Sequence, residues 1–239
     1  MEITKREISR RTRRSFLAGG IAGLAGLGTW EWIRTSVTED GVQRPLRRAE
    51  QADDLFSRAL FSETRLARTF DDSEIGEAQV NGDEGLDGEP GPDWKLMIEG
   101  ANDLSLDQIK ALPKVEQITQ FKCIEGWNYI MKWGGAKFSD FAAAHGPSGA
   151  AQKPWVGFET PDGGYYVGLD RASAMHPQTL LAYEMNGQPL TNEHGAPLRL
   201  IIPVKYGIKN LKRIGKITFS ESRPRDYWAE NGYDYDSGF

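Results

Sequence analysis

The stretch "HPQTLLAYEMNGQPLTNEHGAPLRLIIPVKYGIKNLKRIGKI", His176–Ile217, carries the strongest information about the fold of this chain. Its apolar runs are short and are separated by turn residues. The Asn186–Gly187 pair is typical of a tight hairpin turn. The run "PLRLIIPVKYG" predicts a buried strand, and "LKRIGKITF" predicts a further strand. This part of the chain is therefore expected to form a sheet rather than a helical bundle.

The chain before this stretch continues the same pattern. Strands are predicted for "WKLMIEG" and "KVEQITQFKC", and a hairpin for "KPWVGFETPDGGYYVGL" around Pro161–Gly164. Two short helices lie between them: "SLDQIKALP", with Ser105 as its cap and Pro113 as its stop, and "SDFAAAH", Ser139–His145. Strands dominate and no βαβ rhythm is present. The sequence predicts an α+β fold with mixed sheets.

Composition limits the classes of function. The chain has 239 residues, of which 39% are hydrophobic and 26% charged, as in ordinary globular proteins. A net charge of -5 argues against a nucleic-acid partner, because phosphate binding needs a basic surface.

The N-terminus has the organisation of an export signal. A basic segment, residues 1–14, precedes the apolar stretch "SFLAGGIAGLAGLGTW", Ser15–Trp30. Its junction "TRRSFL" resembles the twin-arginine signal. We therefore expect residues 1–34 to be a twin-arginine signal or a retained membrane anchor, and the protein to be periplasmic or otherwise extracytoplasmic. The alternative is an amphipathic or buried N-terminal helix.

Two further regions follow the predicted signal. Residues 35–93 are expected to form a tether, with a loop or short helix, and then an acidic loop region. Within it, Ser73–Asp93 has seven acidic residues and five glycines, which indicates a solvated loop or a flexible surface excursion, and we attach no function to its charge. Residues 94–239 are expected to form the catalytic domain.

Cys123 is the single cysteine of the chain. Three interpretations are open: a buried structural thiol, an acyl-transfer nucleophile that needs a histidine base, or a ligand of a thiophilic metal. The histidines, His145, His176 and His194, are far apart in sequence, so a zinc site is not expected. A single thiolate could complete the coordination of a metal that an organic cofactor already holds.

Four motifs resemble one known family. "LLAYEMNGQPL", "HGAPLR" and "VKYGIKNLKRIG", in this order along the chain, are similar to the oxidoreductase molybdopterin-binding domain of the sulfite oxidase superfamily, and this ordered match is very specific. "CIEGW" resembles the place where that family has its molybdenum-ligating cysteine. The resemblance covers about residues 94–239. It implies a sulfite-oxidase-like α+β fold, a molybdenum-molybdopterin cofactor and two-electron oxygen-atom transfer, with the Cys123 thiolate as the protein ligand of molybdenum.

The resemblance also assigns roles to individual residues. Cofactor contacts are implied for Thr160, His194, Arg199, Gly207, Ile208, Lys209 and Lys212. The residue types agree with this, because the pterin phosphate is an anion that arginine and lysine bind, and a glycine lets backbone N–H groups approach closely. Taken singly, each basic residue would more simply be a solvated surface charge.

Two residues are implied near the metal. Tyr233 lies five residues after Trp228, a spacing found in sulfite oxidases, and could donate a hydrogen bond to substrate; the alternative is an ordinary half-buried aromatic residue. Arg65 is assigned to an upstream active-site loop, although Arg68 competes for this role.

The residues after Cys123 depart from the sulfite oxidase pattern. Where sulfite oxidases commonly have a glycine, an asparagine and two arginines, this chain has Ile124, Glu125, Gly126 and Trp127. An anionic substrate finds less favourable electrostatics there, and the pattern is nearer that of exported methionine-sulfoxide-reductase catalytic subunits. Reduction of a sulfoxide or N-oxide is therefore predicted. The alternatives are a sulfite dehydrogenase or oxidase, and a binding module that keeps the fold without the cofactor.

The chain also departs from those reductases. Their asparagine–tyrosine cofactor loop is not visible, and His194 stands where they have asparagine. The sequence shows no haem motif. Because the sequence ends at Phe239, we expect no counterpart of the family's immunoglobulin-like dimerisation domain. We expect a separate redox partner, either a membrane haem protein or a soluble cytochrome.

Overall fold

The structure is a computed structural model that describes residues 5–39, 42–60, 62, 64–88, 90–91 and 93–238. The chain divides into two compact units, residues 1–52 and residues 53–239. The predicted boundaries at residues 34 and 93 do not coincide with this division. The assignment of a signal or anchor, a tether and a catalytic domain to these segments stays a prediction.

The N-terminal unit is mainly helical. It contains α1 (Lys5–Thr35), the small hairpin of β1 (Thr38–Glu39) and β2 (Val42–Gln43), and the first part of α2 (Arg44–Leu60). Most apolar side chains of α1 that the structure describes are exposed, among them Phe16, Leu17, Ile21, Leu24, Leu27 and Trp30. Among the described residues, no helix has both the length and the apolar character that crossing a membrane requires. The 17-residue α2 is longer than the loop or short helix predicted for this region.

The first sheet of the second unit contains five strands. They are β4 (Lys114–Lys122), β5 (Asn128–Lys137), β8 (Leu180–Met185), β9 (Gln188–Pro189) and β10 (Arg199–Ile201). The order is β10-β8-β5-β4, all antiparallel, and β9 pairs with β8. The hairpin predicted at Asn186–Gly187 is confirmed, and both residues have positive φ (53° and 73°), as its turn type requires. The long strand β5 had no prediction, because its Gly134–Gly135 pair interrupts the strand pattern.

The second sheet contains four strands in the order β3-β11-β6-β7. Their bounds are β3 (Met97–Ile98), β6 (Trp155–Glu159), β7 (Tyr166–Asp170) and β11 (Lys216–Ser220). β11 is parallel to β3 and antiparallel to β6. The sheet is therefore mixed, and the predicted α+β class is confirmed. The predicted strand around Trp94 is reduced to two residues.

Short helices connect the strands. They are α3 (Leu106–Lys110), α4 (Phe138–His145), α5 (Arg171–Ala174) and α6 (Tyr227–Glu230). The predicted cap of α3 is confirmed: Gln108 N–H donates to Ser105 Oγ (3.4 Å), and Ser105 N–H donates to Gln108 Oε1 (2.9 Å).

The two faces of the first sheet bury different cores. Leu181 and Leu200 point into the main core, together with Phe158 and Ile217 of the second sheet. Leu180 and Ala182, which flank Leu181 in β8, point to the opposite face. A smaller cluster there includes Tyr129, Met131 and Trp133. Phe121 and Trp127 pack against this smaller cluster, which supports the region around Cys123.

Candidate active site

Cys123 lies in the loop that joins β4 to β5. Its N–H donates to the carbonyl of Trp127 (2.9 Å), and its carbonyl accepts from the N–H of Gly126 (3.1 Å). Gly126 has a φ of 94°, which a residue with a side chain rarely adopts. Because the paired strands continue up to Lys122 and Asn128, the loop is short and the thiol has a defined position.

A carboxylate lies next to the thiol. Glu125 Oε2 accepts hydrogen bonds from Trp127 Nε1 (2.8 Å) and Asn81 Nδ2 (3.2 Å), and it lies 3.8 Å from Cys123 Sγ. Burial raises the pKa of Cys123, and the negative charge of Glu125 raises it further. The isolated thiol is therefore protonated at neutral pH, and a cation such as a metal is needed to stabilise the thiolate.

Cys123 opens onto a cavity of about 150 Å³. Its wall is built from five separate segments: Asn81, Gly82 and Glu84; Phe121, Cys123, Ile124, Glu125 and Trp127; Tyr165; Arg199, Gly207, Ile208, Asn210 and Lys212; and Trp228 with Tyr233. No histidine is among these described lining residues, so the nucleophile interpretation of Cys123 lacks its base.

Arg199 is a buried cation in the cavity wall. The residue is 2% exposed, and its guanidinium donates to the carbonyls of His194 (3.0 Å) and Asn210 (3.4 Å). Its buried Nε has no hydrogen-bond partner, and no carboxylate pairs with it within the described part of the chain. Burial lowers the pKa of Arg199. A buried charge with a free donor is stabilised by an anionic ligand.

Lys212 is the second cation of this wall. Its Nζ donates to the carbonyls of Asn81 (2.8 Å), Gly82 (2.6 Å) and Glu193 (3.1 Å). Burial, followed by the charge of Arg199, lowers the pKa of Lys212 to about 8. Among the residues that the structure describes, neither Arg199 nor Lys212 forms a salt bridge with a carboxylate, and two such cations suit a phosphate.

Part of the acidic region Ser73–Asp93 borders the cavity, through Asn81, Gly82 and Glu84, which the sequence did not predict. Besides its contacts with Lys212, its chain accepts hydrogen bonds from Arg213 at the carbonyls of Asp87 (3.3 Å) and Gly88 (2.7 Å). The acidic side chains of this region that the structure describes are exposed, but its backbone carbonyls accept hydrogen bonds from Lys212 and Arg213. The region therefore closes one side of the cavity.

A tight 3-10 turn, Gly207–Lys209, forms another side. A Cβ on Gly207 would lie 2.6 Å from the ring of Phe121, so a side chain at this position would require the ring or the turn to move. Tyr165 Oη donates to the carbonyl of Ile208 (2.5 Å). The backbone of this turn is thereby held close to the cavity.

The structure brings together most of the residues predicted from the sequence. Those that line the cavity are Cys123, Arg199, Gly207, Ile208, Lys212 and Tyr233. His194 is not in the lining but accepts a hydrogen bond from Arg199 at its carbonyl, and burial, together with the charges of Arg199 and Lys212, lowers the pKa of His194. Thr160 is buried outside the lining, where its Oγ1 donates to Asp162 (2.5 Å) and accepts from the N–H of Tyr165 (3.0 Å).

The side chains of Lys209 and Arg65 do not reach the cavity either. The ammonium of Lys209 is fully buried and donates to Asp226 and to the carbonyl of Gly168 (3.1 Å). A cofactor contact of Lys209 would therefore have to come from its backbone. Arg65 is exposed, and its carbonyl lies 3.0 Å from His176 Nε2. Its competitor Arg68 is also exposed and pairs with Glu74 (3.6 Å).

Sequence reasoning missed several residues of the wall. They are Asn81, Gly82, Glu84, Phe121, Tyr165 and Asn210. Tyr165 and Phe121 belong to strand patterns that predict burial rather than a site. Asn81 and Glu84 lie in a polar loop, where no sequence signal distinguishes them from their neighbours.

Comparison with known proteins establishes the class of the enzyme. The model of the oxidoreductase molybdopterin-binding domain family matches residues 86–228, and the chain belongs to this family. It is therefore a molybdopterin-dependent oxidoreductase, and the recognition of the family from its motifs is confirmed.

Individual relatives narrow this class. A protein of Azospira oryzae, provisionally named protein-methionine-sulfoxide reductase subunit YedZ1, is 32% identical over 95% of this chain and 86% of its own length. The protein-methionine-sulfoxide reductase catalytic subunits MsrP of Xanthomonas campestris and Campylobacter jejuni are 34% and 35% identical. These matches cover 57% and 56% of this chain, and 48% and 52% of those proteins. The chain thus matches about half the length of MsrP.

A solved structure supports the fold. The sulfane dehydrogenase SoxCD of Paracoccus pantotrophus aligns with a TM-score of 0.50 at 19% identity, over 55% of this chain and 39% of that chain. At this identity the likeness concerns the fold alone.

The residues of the cavity fit the family's cofactor. Cys123 offers a soft ligand suited to molybdenum. Arg199 has a buried guanidinium with an unpartnered Nε, and Gly207 lets the backbone approach closely. These features are chemically suited to the metal and the phosphate end of molybdenum-molybdopterin.

Proposed function

We propose that this protein is the catalytic subunit of an exported molybdenum enzyme that reduces a neutral sulfoxide, as the names of its relatives state for those proteins. The choice of a neutral substrate rests on one observation. Glu125 is held by Trp127 and Asn81 at 3.8 Å from Cys123 Sγ, so that a carboxylate borders the metal position.

The charge of Glu125 discriminates between substrates. At a separation of about 6 Å and an effective dielectric constant of about 20, a unit negative charge raises the free energy of a bound anion by about 3 kcal/mol. Sulfite carries this penalty, whereas a sulfoxide is neutral and dipolar. The indole of Trp127 and the rings of Trp228 and Tyr233 also line the cavity and suit the apolar groups beside a sulfoxide.

Different residues of the cavity wall are assigned different roles. Cys123 would hold the metal, and Arg199 would bind the phosphate end of the cofactor. The three N–H groups of Lys212 are engaged by carbonyls, so Lys212 would stabilise that anion through its charge. When bound, the cofactor supplies the two-electron redox chemistry. Tyr233 is 43% exposed and packs edge-on against Trp228 (5.1 Å), and its hydroxyl would donate a hydrogen bond to the oxygen of the substrate.

Reduction of a sulfoxide needs an electron source. The overall reaction consumes two electrons and two protons and releases a thioether and water. Because the sequence shows no haem motif, we propose that a separate membrane haem protein or a soluble cytochrome supplies the electrons. The basic and apolar pattern of residues 1–30 supports export by the twin-arginine route and an extracytoplasmic location.

A substrate comparison tests the proposal. Purified enzyme would be assayed with methionine sulfoxide and a peptide containing it, using a reduced viologen dye, and with sulfite, using ferricyanide. We expect turnover of the sulfoxides and little turnover of sulfite. Clear oxidation of sulfite without reduction of sulfoxides would overturn the proposal.

A Cys123→Ser variant tests the metal ligand. We expect it to lose most of its molybdenum and to lower kcat by at least about 100-fold, because even partners outside the coordination sphere of a metal contribute 10–100-fold. The measurements are molybdenum per protein and turnover, with circular dichroism as the control for folding. Full activity in this variant would show that Cys123 is not the ligand.

A further inference from the structure

Two buried ion pairs connect the segment 205–209 with the segment 226–236. Lys205 Nζ and Asp236 Oδ1 are 2.6 Å apart, and their side chains are 1% and 5% exposed. Lys209 pairs with Asp226, and these side chains are 0% and 2% exposed. Neither member of the Lys209–Asp226 pair lines the cavity.

Asp226 contacts three elements with one carboxylate. Its Oδ2 accepts from Lys209 Nζ and from the N–H of Gly168 in β7 (3.1 Å). Its Oδ1 accepts from the N–H of Ala229 (3.1 Å) and so caps the short helix α6. Both oxygens are thus engaged.

The elements joined by this pair form different parts of the cavity wall. Lys209 ends the 3-10 turn whose other residues, Gly207 and Ile208, line the side assigned to the cofactor. Asp226 precedes Trp228, and the N–H of Tyr233 donates to the carbonyl of Trp228 (2.9 Å). Trp228 and Tyr233 form the aromatic side, where the substrate is expected.

We propose that Lys209 and Asp226 are positioning residues. Their buried ion pair holds the aromatic wall of Trp228 and Tyr233 in a fixed position relative to the turn Gly207–Lys209. The proposal rests on the proposed function only for identifying the cavity as the active site. Replacing a buried ion pair by apolar residues often leaves stability unchanged, whereas removing one partner leaves an uncompensated buried charge. The pair therefore contributes to the geometry of the site rather than to net stability.

Three variants and one control separate positioning from other roles. The variants are Lys209→Met, Asp226→Asn and the double variant, all prepared as the full chain with cofactor. Asp226→Asn keeps the side-chain oxygen that caps α6. The control is Lys153→Met, which removes a lysine of the exposed pair with Glu221 (2.6 Å) outside the cavity.

Hydrogen exchange measures the coupling without any substrate. We expect Lys209→Met to accelerate amide exchange in residues 226–236 by about tenfold or more, and Asp226→Asn to do so in residues 205–210, because each variant loosens the element across the pair. The double variant should exchange no faster than the single variants, since both remove the same interaction. Lys153→Met should change neither segment.

Kinetics per bound molybdenum give the second readout. We expect KM for the sulfoxide to rise about tenfold in both single variants, with a smaller change in kcat, because misplaced aromatic residues weaken substrate binding. If the exchange rates of both segments stay at the wild-type level, the proposal is wrong. It is also wrong if Lys209→Met loses molybdenum while Asp226→Asn keeps it, since Lys209 would then bind the cofactor directly.

The outcomes for this proposal and for the proposed function are distinct. If the wild-type enzyme does not reduce sulfoxides, the proposed function fails, but hydrogen exchange still tests the coupling. If Lys209→Met does not fold, the near-isosteric Asp226→Asn carries the same test.

Discussion

Glu125 is the residue that most separates this site from one built for an anion. Its carboxylate is held on both sides, by the indole N–H of Trp127 and the amide of Asn81, so it stays beside Cys123. The departure from the sulfite oxidase pattern was visible in the sequence. The hydrogen bonds that hold the carboxylate in place were not, because Asn81 lies 44 residues away in the chain.

A Glu125→Gln variant should shift the balance between substrates. Glutamine keeps an oxygen that can accept from Trp127 and Asn81 but removes the charge. We expect the ratio of kcat/KM for sulfite to kcat/KM for a sulfoxide to rise about tenfold or more, because the repulsion of an anion is lost. Steady-state assays with both substrates measure this ratio. An unchanged ratio would show that the charge of Glu125 does not select the substrate.

Arg199 should have opposite effects on stability and on cofactor binding. In the cofactor-free protein no carboxylate of the described residues pairs with its buried charge, so an Arg199→Met variant should be as stable as the wild type or more stable. The same variant should retain little cofactor. Urea unfolding of protein from a host that makes no molybdopterin measures the first effect, and molybdenum content after normal expression measures the second. A cofactor-free variant much less stable than the wild type would show that Arg199 is mainly structural.

At the scale of elements, two turns set the distances across the cavity. The loop between β4 and β5 carries Cys123. The 3-10 turn Gly207–Lys209 packs closely against the ring of Phe121, a residue at the end of β4. Phe121 is stacked against Tyr129 (4.9 Å between ring centroids), so it cannot easily move aside. The width of this part of the cavity therefore depends on a glycine at position 207.

A Gly207→Ala variant should displace this turn. Its Cβ would lie 2.6 Å from Phe121 Cζ, and relief of this overlap requires movement of the ring or of the turn. We expect a loss of about 1–3 kcal/mol in the free energy of unfolding, as for overpacking in a core, and reduced retention of molybdenum. The matched control is Gly76→Ala, where the added Cβ meets no atom within 4 Å. Equal behaviour of the two variants would contradict a close approach at Gly207.

At the scale of the whole molecule, the site gathers segments that are far apart in sequence. Residues 81–84, the loop after β4, the turn after β10 and the segment after Asp226 all border one cavity. A ligand that contacts several of these segments links them and stabilises the folded state by mass action. Cofactor loading should therefore affect stability throughout the second unit.

The cofactor-loaded protein should melt well above the cofactor-free protein. If the cofactor is present at 1,000 times its Kd, the stabilisation is about 4 kcal/mol, which corresponds to a rise in Tm of about 8 °C or more for a protein of this size. Calorimetry of both preparations measures this difference. Equal melting temperatures would mean that the cofactor does not link the segments of the cavity.

The sequence by itself determined the class of fold, the strands and short helices around the site, and the family. Hydrophobic alternation, the Asn186–Gly187 turn and the cap at Ser105 are local signals. They can be predicted from the sequence because the interacting residues are only a few positions apart in the chain. The motifs around Cys123, Arg199 and Gly207 likewise predicted residues that the structure places in one cavity.

The tertiary structure alone decided which polar residues face that cavity. The acidic region joins its wall because Lys212 and Arg213, about 125 residues further along the chain, bind its carbonyls. Lys209, which the motif assigned to the cofactor, instead directs its ammonium to Asp226. The physical reason is the same in both cases: a buried or partly buried cation takes the nearest available acceptors, and only the folded chain determines which acceptors are near.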